Sequence, residues 1–178
     1  LTLSGAVAVT GDYSSTTSGT SNLRLGVNAG NSIASGGNYN VCIGDEAGTA
    51  LTTGDENTAV GFESLATEDA HGENTAIGYR ALKALNAGAN GYNVAVGARC
   101  GIVMTTGTKN TGVGSYSLNT LTTGSNNTAV GQGALNADTK GNKNVAIGVD
   151  SLTNQNFTSS TDSHNTAVGN EAGNDVTT

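Results

Sequence analysis

Few side chains in this 178-residue chain could carry acid–base, nucleophilic or metal chemistry. The only histidines, His71 and His164, lie beside predicted turns that are several sequence repeats apart. No histidine pair can therefore build a metal site or a proton relay. The only cysteines, Cys42 and Cys100, lie three repeats apart, which corresponds to roughly 14 Å at the rise of stacked strands. They cannot form a disulfide within one solenoid, and we interpret them as small buried apolar residues.

Carboxylates are more numerous, but they scatter over predicted turns. Glu46 and Glu63 occupy the same position in adjacent repeats, and this spacing would suit the pair that cleaves glycosides, about 5 to 10 Å apart. We interpret their stacking as fortuitous. No repeat position is acidic in most copies, as it would be in a calcium-binding solenoid. We therefore expect no enzyme activity, no cofactor and no metal site.

The sequence is organised by a five-residue motif that occurs in nine copies. The steps between successive motifs are 18, 17, 17, 19, 17, 17, 17 and 21 residues, so the common period is 17. A short fixed period of this kind is typical of solenoids. The copies start at Asn22, Asn40, Asn57, Asn74, Asn93, Asn110, Asn127, Asn144 and Asn165.

Composition excludes several partner classes. Hydrophobic residues make up 35% and aromatic residues 4% of the chain, Trp is absent and Gly numbers 27, so a conventional globular core is poorly supplied. The formal net charge is −7 with only seven Lys and Arg, which leaves no basic surface for nucleic acid or for an anionic membrane. No apolar run is long enough for membrane insertion.

These observations predict an all-β fold, a parallel β-solenoid of nine coils. We expect residues 1–21 to form a lead-in strand and loop, and residues 22–178 to form the repeat domain. In each repeat, numbered from its Asn, positions 2 and 4 are mostly β-branched and share one face of a strand. The segment GYRALKAL suggests a helical turn on the return leg.

Strand alternation leads us to expect positions 2 and 4 inside the coil, and the small residues of position 3 outside against an identical chain. A water-facing position would tolerate larger polar residues, so the small occupants imply a closely approaching partner. The expected structural core comprises Asn57, Val60, Gly61, Asn74, Ile77, Gly78, Asn127, Val130, Gly131, Asn144, Ile147 and Gly148. The expected trimer-facing residues are Ala59, Ala76, Ala95, Ala129, Ala146 and Ala167.

Three aromatic residues are candidate receptor contacts. Phe62 and Tyr79 occupy position 6 of adjacent coils and should stack, while Phe157 lies in the longest irregular segment, residues 154–163. Insertions in solenoids map to external loops, where recognition is most easily added. Packing on the return leg is the competing interpretation for Phe62 and Tyr79.

The motifs NTAVGxxAL and NVAIGxxSL resemble the SVAIGxxA head repeats of YadA-type trimeric autotransporter adhesins. They are also similar to NTAVG repeats of bacteriophage and large-virus tail fibres, and the resemblance covers residues 22–173. It implies a left-handed β-roll with three chains around one axis. The repeat is longer than in the adhesin heads, which favours the viral fibre.

We therefore expect a homotrimeric structural segment of an extracellular fibre, and we expect the fibre to be a virion tail fibre that attaches to a host receptor or glycan. A bacterial adhesin head on the cell surface is the nearest alternative. A monomeric solenoid that binds ice or a carbohydrate surface is another, because Thr occupies position 2 in five copies. A polysaccharide depolymerase and a self-polymerising filament also remain open.

Overall fold

The computed structural model describes residues 18–177, and within them the chain is a parallel β-solenoid with a period of about 17 residues. This confirms the predicted all-β class and the nine coils. The expected lead-in strand lies in residues 1–17, outside the described part of the chain. No helix occurs in residues 18–177, and hence none that could span a membrane.

The described part of the chain contains eleven short strands: β1 Leu23–Leu25, β2 Val41–Ile43, β3 Thr58–Val60, β4 Thr75–Ile77, β5 Val94–Val96, β6 Thr111–Val113, β7 Thr128–Val130, β8 Gly141–Asn142, β9 Val145–Ile147, β10 Thr161–Asp162 and β11 Thr166–Val168. Nine of them form one parallel sheet in the order β1-β2-β3-β4-β5-β6-β7-β9-β11, and β8 pairs with β10 in a second small sheet. Each strand of the large sheet covers positions 2 to 4 of one repeat, so identical positions pair from coil to coil.

The Gly at position 5 ends every strand of the large sheet. In all nine copies its φ lies between +120° and +141°, a region that side-chain-bearing residues rarely adopt. The neighbouring coil also passes very close, since a Cβ placed on Gly131 would lie 2.3 Å from the carbonyl oxygen of Gly148. Both the turn and the close approach therefore require Gly here.

The Asn at position 1 forms a buried ladder along the solenoid. The Oδ1 of Asn127 accepts a hydrogen bond from the backbone N–H of Asn144 at 2.9 Å, and its Nδ2 donates to the carbonyl of Gly141 at 2.9 Å. The same pattern recurs in most coils, so each Asn joins its own coil to the next one. These side chains satisfy backbone groups that the turns leave without a partner.

The core corrects our expectation for position 3. Ala59, Ala76, Ala95, Ala129, Ala146 and Ala167 are all buried inside the single chain, and none of them faces outward. Strand alternation established that position 3 opposes positions 2 and 4, but the assignment of inside and outside was wrong. The trimer-facing role predicted for these alanines therefore fails.

The physical reason is the narrow interior of the coil. Position 3 packs against positions 8 and 9 of the return leg, as Gly112 shows: a Cβ built there would lie 2.5 Å from Cys100 Sγ and 3.1 Å from Leu118 Cδ1. A small residue is therefore required by the opposite wall of the same chain. Where position 3 carries the larger Cys42, position 9 of that coil is Gly48, which restores the space.

The position 4 residues predicted for the core lie on the outer face instead. Ile77 and Ile147 are exposed, and Val60 and Val130 are half-buried. The apolar interior comes from position 3 and from the return leg, whose largest fully buried residues include Leu51, Leu85 and Leu121.

The return leg consists of turns, and residues 79–84 form turns where a helical turn was suggested. Leucines at position 9 have φ between +48° and +53°, a left-handed conformation that is uncommon for Leu. They point into the core and are nearly or fully buried. Burial of the side chain offsets this backbone cost, about 1–2 kcal/mol per residue. The leucines are Leu65, Leu82, Leu118, Leu135 and Leu152.

Candidate functional site

The outer surface of the large sheet is the most extensive candidate interaction surface. We call it the Thr/Val face, and it consists of the position 2 and position 4 side chains of β1 to β7, β9 and β11. Position 4 is aliphatic in all nine strands, and position 2 is Thr in five and aliphatic in four. No charged side chain lies in either column, and the face runs for roughly 38 Å at the spacing of parallel strands. Exposed apolar patches of this size mark interaction sites.

Exposure of this face is substantial although the side chains pack against one another. Val113 in the middle of the solenoid is 38% exposed, and Val168 in the last strand is 66% exposed. The in-register pairing stacks each side chain directly on the equivalent one in the next coil. The result is a regular surface of β-branched side chains.

A second surface lies just beyond the Gly turn, at positions 6 and 7. We call it the aromatic–arginine ladder, and it consists of Phe62, Tyr79, Arg80, Arg99 and Tyr116. The Phe62 and Tyr79 rings stack with centroids 5.8 Å apart and an interplanar angle of 12°. The Arg80 guanidinium lies 4.9 Å from the Tyr79 centroid. The Arg99 guanidinium lies 5.9 Å from the Tyr79 ring and 5.6 Å from the Tyr116 ring.

The backbone fixes the position 7 side chains of this ladder. Arg80, Arg99 and Tyr116 all have φ close to +60°. Their N–H groups donate to position 6 carbonyls of the preceding coil, for example Arg99 N to Tyr79 O at 2.8 Å and Tyr116 N to Ala98 O at 3.0 Å. The sequence predicted the stacking of Phe62 and Tyr79 but missed the arginines. Their recurrence at position 7 was the available signal.

Phe157, the third candidate receptor contact, is not part of this ladder. It belongs to the eighth coil and is half-buried, and its N–H donates to Asp138 Oδ1 at 3.0 Å. Its carbonyl accepts from Lys140 N at 2.9 Å. Within residues 154–163, the predicted external insertion, Thr161–Asp162 pairs as a strand with Gly141–Asn142. The structure therefore fixes the backbone of Phe157 against the seventh coil and leaves its side chain half-buried.

The glutamate pair considered for glycoside cleavage lacks the required electrostatics. Glu63 accepts hydrogen bonds from Lys83 Nζ at 2.8 Å and Arg80 Nε at 2.5 Å. The hydrogen bond from Lys83, together with that from Arg80, lowers the pKa of the Glu63 carboxyl. A general acid in this reaction needs a raised pKa. Glu46 instead accepts from Asn28 Nδ2 at 2.8 Å.

Glu68, Asp69 and His71 form a cluster that sequence reasoning did not group together. One potential ligand atom from each lies within 4.8 Å of the others, so the cluster could contact a cation. However, the buried Glu68 carboxylate already accepts from the N–H groups of Ala87 at 3.2 Å and His71 at 3.3 Å. Burial raises the pKa of Glu68, and these hydrogen bonds act in the opposite direction. The Glu68 carboxylate thus has a structural role within the fold. The available sequence signal was an acidic residue at a repeat position that is apolar in six of the nine coils.

An open acidic cleft of about 180 Å³ lies next to this cluster. Two of its three carboxylates are engaged within the protein: Asp55 accepts from Asn38 N at 2.6 Å, and Glu73 accepts from Asn90 Nδ2 at 2.7 Å. The sequence did not predict this cleft. The residues that line it are Thr53, Asp55, Glu56, Ala70, Gly72, Glu73 and Asn90.

The cysteines are reactive groups held in the core. Cys42 and Cys100 are buried and unpaired, and burial raises the pKa of each thiol to about 11. The Cys100 Sγ lies 3.0 Å from Ser117 Oγ. Neither thiol has the lowered pKa of a nucleophilic cysteine.

Comparisons of this chain with protein-family models, with curated proteins and with solved structures found no match. The two surfaces described above are therefore the features of the chain that bear on function.

Proposed function

We propose that this chain is a rigid segment of a homotrimeric extracellular fibre, of the kind found in virus or bacteriophage tails, which attaches the particle to a host surface. The observation that supports it is the Thr/Val face, an uncharged and regular surface left exposed along the whole sheet. A fibre segment needs length and stiffness, which continuous parallel pairing supplies.

A second copy of the chain is the partner that best fits this face. Its columns repeat at strand spacing, so parallel copies would match coil by coil along the full length. Val, Ile and Thr side chains bring little conformational entropy to an interface because they are stiff at χ1. Burial of apolar area at about 25 cal/mol per Å² then favours association. The trimer in particular rests on the resemblance of the motif to trimeric fibres.

The test compares two Val→Lys substitutions on different faces. Val113→Lys places a charge in the middle of the Thr/Val face, whereas Val103→Lys places one at an equally exposed site on the return leg. The two valines are 38% and 40% exposed, so both variants should fold as single chains. In sedimentation equilibrium we expect a trimer for the wild type and for Val103→Lys, and a monomer for Val113→Lys. A monomeric wild type at micromolar concentration would exclude the proposal.

A monomeric solenoid that binds ice or a crystalline carbohydrate surface is a second candidate. The observation that favours it is the outward position of Thr58, Thr75, Thr111, Thr128 and Thr166 beside an aliphatic column. A monomer that causes thermal hysteresis, lost on Thr111→Lys, would establish this function instead. A bacterial adhesin head would assemble in the same way as a tail fibre, and neighbouring tail genes or a fused membrane anchor would distinguish the two.

A further inference from the structure

The aromatic–arginine ladder concentrates positive charge on an acidic chain. The chain has seven Lys and Arg against fourteen Asp and Glu. Two adjacent coils contain three of these seven cations at or beside the ladder, namely Arg80, Lys83 and Arg99. Exposed aromatic rings accompany them, and Tyr and Arg are the residue types enriched at binding hot spots.

These three cations are not equally available to bind an anionic ligand. Arg80 and Lys83 share the carboxylate of Glu63. Arg99 is exposed and forms no ion pair with any carboxylate in the described part of the chain. Its guanidinium is held between two tyrosine rings, which leaves its N–H donors free for an anion.

The side chains of the aromatic–arginine ladder indicate a carboxylate-bearing sugar as its ligand. A guanidinium binds a carboxylate through two parallel hydrogen bonds. Phe62 and Tyr79 stack on each other and remain 42% and 41% exposed, so the exposed parts of both rings offer apolar contact to the C–H groups of a pyranose. Phe62 and Tyr79 lie in adjacent coils and Tyr116 lies two coils beyond Tyr79, so the rings are spaced along the solenoid axis, as binding of an extended polymer would require. A double-stranded nucleic acid fits less well, because it carries one negative charge per about 1.7 Å of axis and would be repelled by the net charge of −7 more strongly than a polymer with one carboxylate per coil step.

We propose that the aromatic–arginine ladder binds an acidic polysaccharide, with Arg99 pairing a uronate carboxylate and Tyr79 and Phe62 packing on the sugar rings. This inference rests on the attachment role proposed above and gives that role a ligand class. It does not use the Thr/Val face.

The test measures binding of oligogalacturonate to the full chain by calorimetry at low ionic strength. The matched ligand is the same oligosaccharide after chemical reduction of its carboxyl groups, and poly-glutamate is included as an acidic peptide. We expect Arg99→Gln and Tyr79→Ala each to weaken binding about tenfold, the loss of one charge-assisted or stacking contact. Arg99→Lys should bind with intermediate affinity because it retains the charge without the planar fork.

Two variants control for general loss of charge or aromatic area. Tyr92→Ala removes a tyrosine that is 48% exposed, compared with 41% for Tyr79, and Lys109→Gln removes a cation outside the ladder. Both should bind as the wild type does, and the melting temperatures should report that all variants fold.

Three results would overturn the inference: no binding by the wild type, equal binding of the carboxyl-reduced ligand, or unchanged binding by Arg99→Gln. Poly-glutamate binding as tightly as the oligosaccharide would assign the ladder to acidic peptides and overturn it as well. Sedimentation of the same samples separates the two proposals. A trimer that does not bind glycan removes only this inference, and a monomer that binds it removes only the trimer.

Discussion

Substitution of Gly131 by Ala tests why every coil has Gly at position 5. The φ of Gly131 is +133°, and the new Cβ would lie 2.3 Å from the oxygen and 2.5 Å from the carbon of the Gly148 carbonyl. The backbone of the next coil would have to move. That movement strains the hydrogen bond from Gly148 N to Val130 O, which is 2.7 Å long.

Gly88 provides a control that also has a positive φ, in the milder left-handed region, but has free space around it. Its φ is +70°, and no atom lies within 4 Å of a Cβ placed there. We expect Gly88→Ala to cost about 1–2 kcal/mol, the penalty for a left-handed alanine. Gly131→Ala should lower the free energy of unfolding by about 4–6 kcal/mol. Backbone strain accounts for about 1–3 kcal/mol of this loss, and the steric clash and the weakened backbone hydrogen bonds account for the rest.

Urea unfolding followed by circular dichroism measures the difference. With a slope of about 2 kcal/mol per molar urea, the two variants should differ by roughly 1.5 M in midpoint. Amide hydrogen exchange should show that Gly131→Ala loses protection first in the seventh and eighth coils. Equal midpoints for the two variants would refute the close approach of neighbouring coils as the reason for this Gly column.

Three further predictions follow from buried groups. Asn127→Ala should lower the free energy of unfolding in urea by about 2–5 kcal/mol, because it leaves the Asn144 N–H and the Gly141 carbonyl without their hydrogen-bond partner. The control Asn119→Ala should lower it by under about 1 kcal/mol, because the Asn119 side chain forms no hydrogen bond in the described structure. The pKa of Glu68 is raised in the folded chain, so its contribution to stability is full below the unfolded pKa of 4.5 and is lost as pH rises through the folded value. Relative to the non-titrating variant Glu68→Gln, which loses one of the two backbone acceptors, the wild type should therefore gain melting temperature as the pH falls from 7 to 4. A relative loss of wild-type stability toward acid pH would contradict the assignment. The thiols of Cys42 and Cys100, with pKa values raised to about 11, should resist alkylation by iodoacetamide at pH 8 until urea unfolds the chain. Rapid labelling of the native protein would instead show that the core is open to solvent.

The repeat period and the strands could be read directly from the sequence, because Asn and Gly recur with β-branched residues between them. Strand alternation also placed Thr128 and Val130 on one side and Ala129 on the other. It does not say which side is inside, since a small residue suits a narrow interior as well as a close partner. Only the position of the return leg, with Leu118 and Leu135 filling the interior, resolves that choice.

The candidate interaction surfaces were harder to predict from the sequence than the fold was. The stacking of Phe62 on Tyr79 followed from their shared position, but Arg99 reaches the rings only because position 7 adopts a positive φ in each coil. Left-handed residues such as Leu118 have no local signature, since Leu strongly prefers other conformations. The grouping of Glu68 with His71 depends in turn on how the return leg bends.

Because the strands pair in register, the length of the molecule can change by whole coils through deletion or duplication of one repeat. Removal of residues 111–127 would join Asn110 to Thr128 and leave every column in phase, shortening the rod by one coil, about 4.8 Å. Unequal recombination between repeats of a coding sequence produces this kind of change in a single event. A lineage could thus adjust the reach of the molecule in fixed increments without redesigning its cross-section.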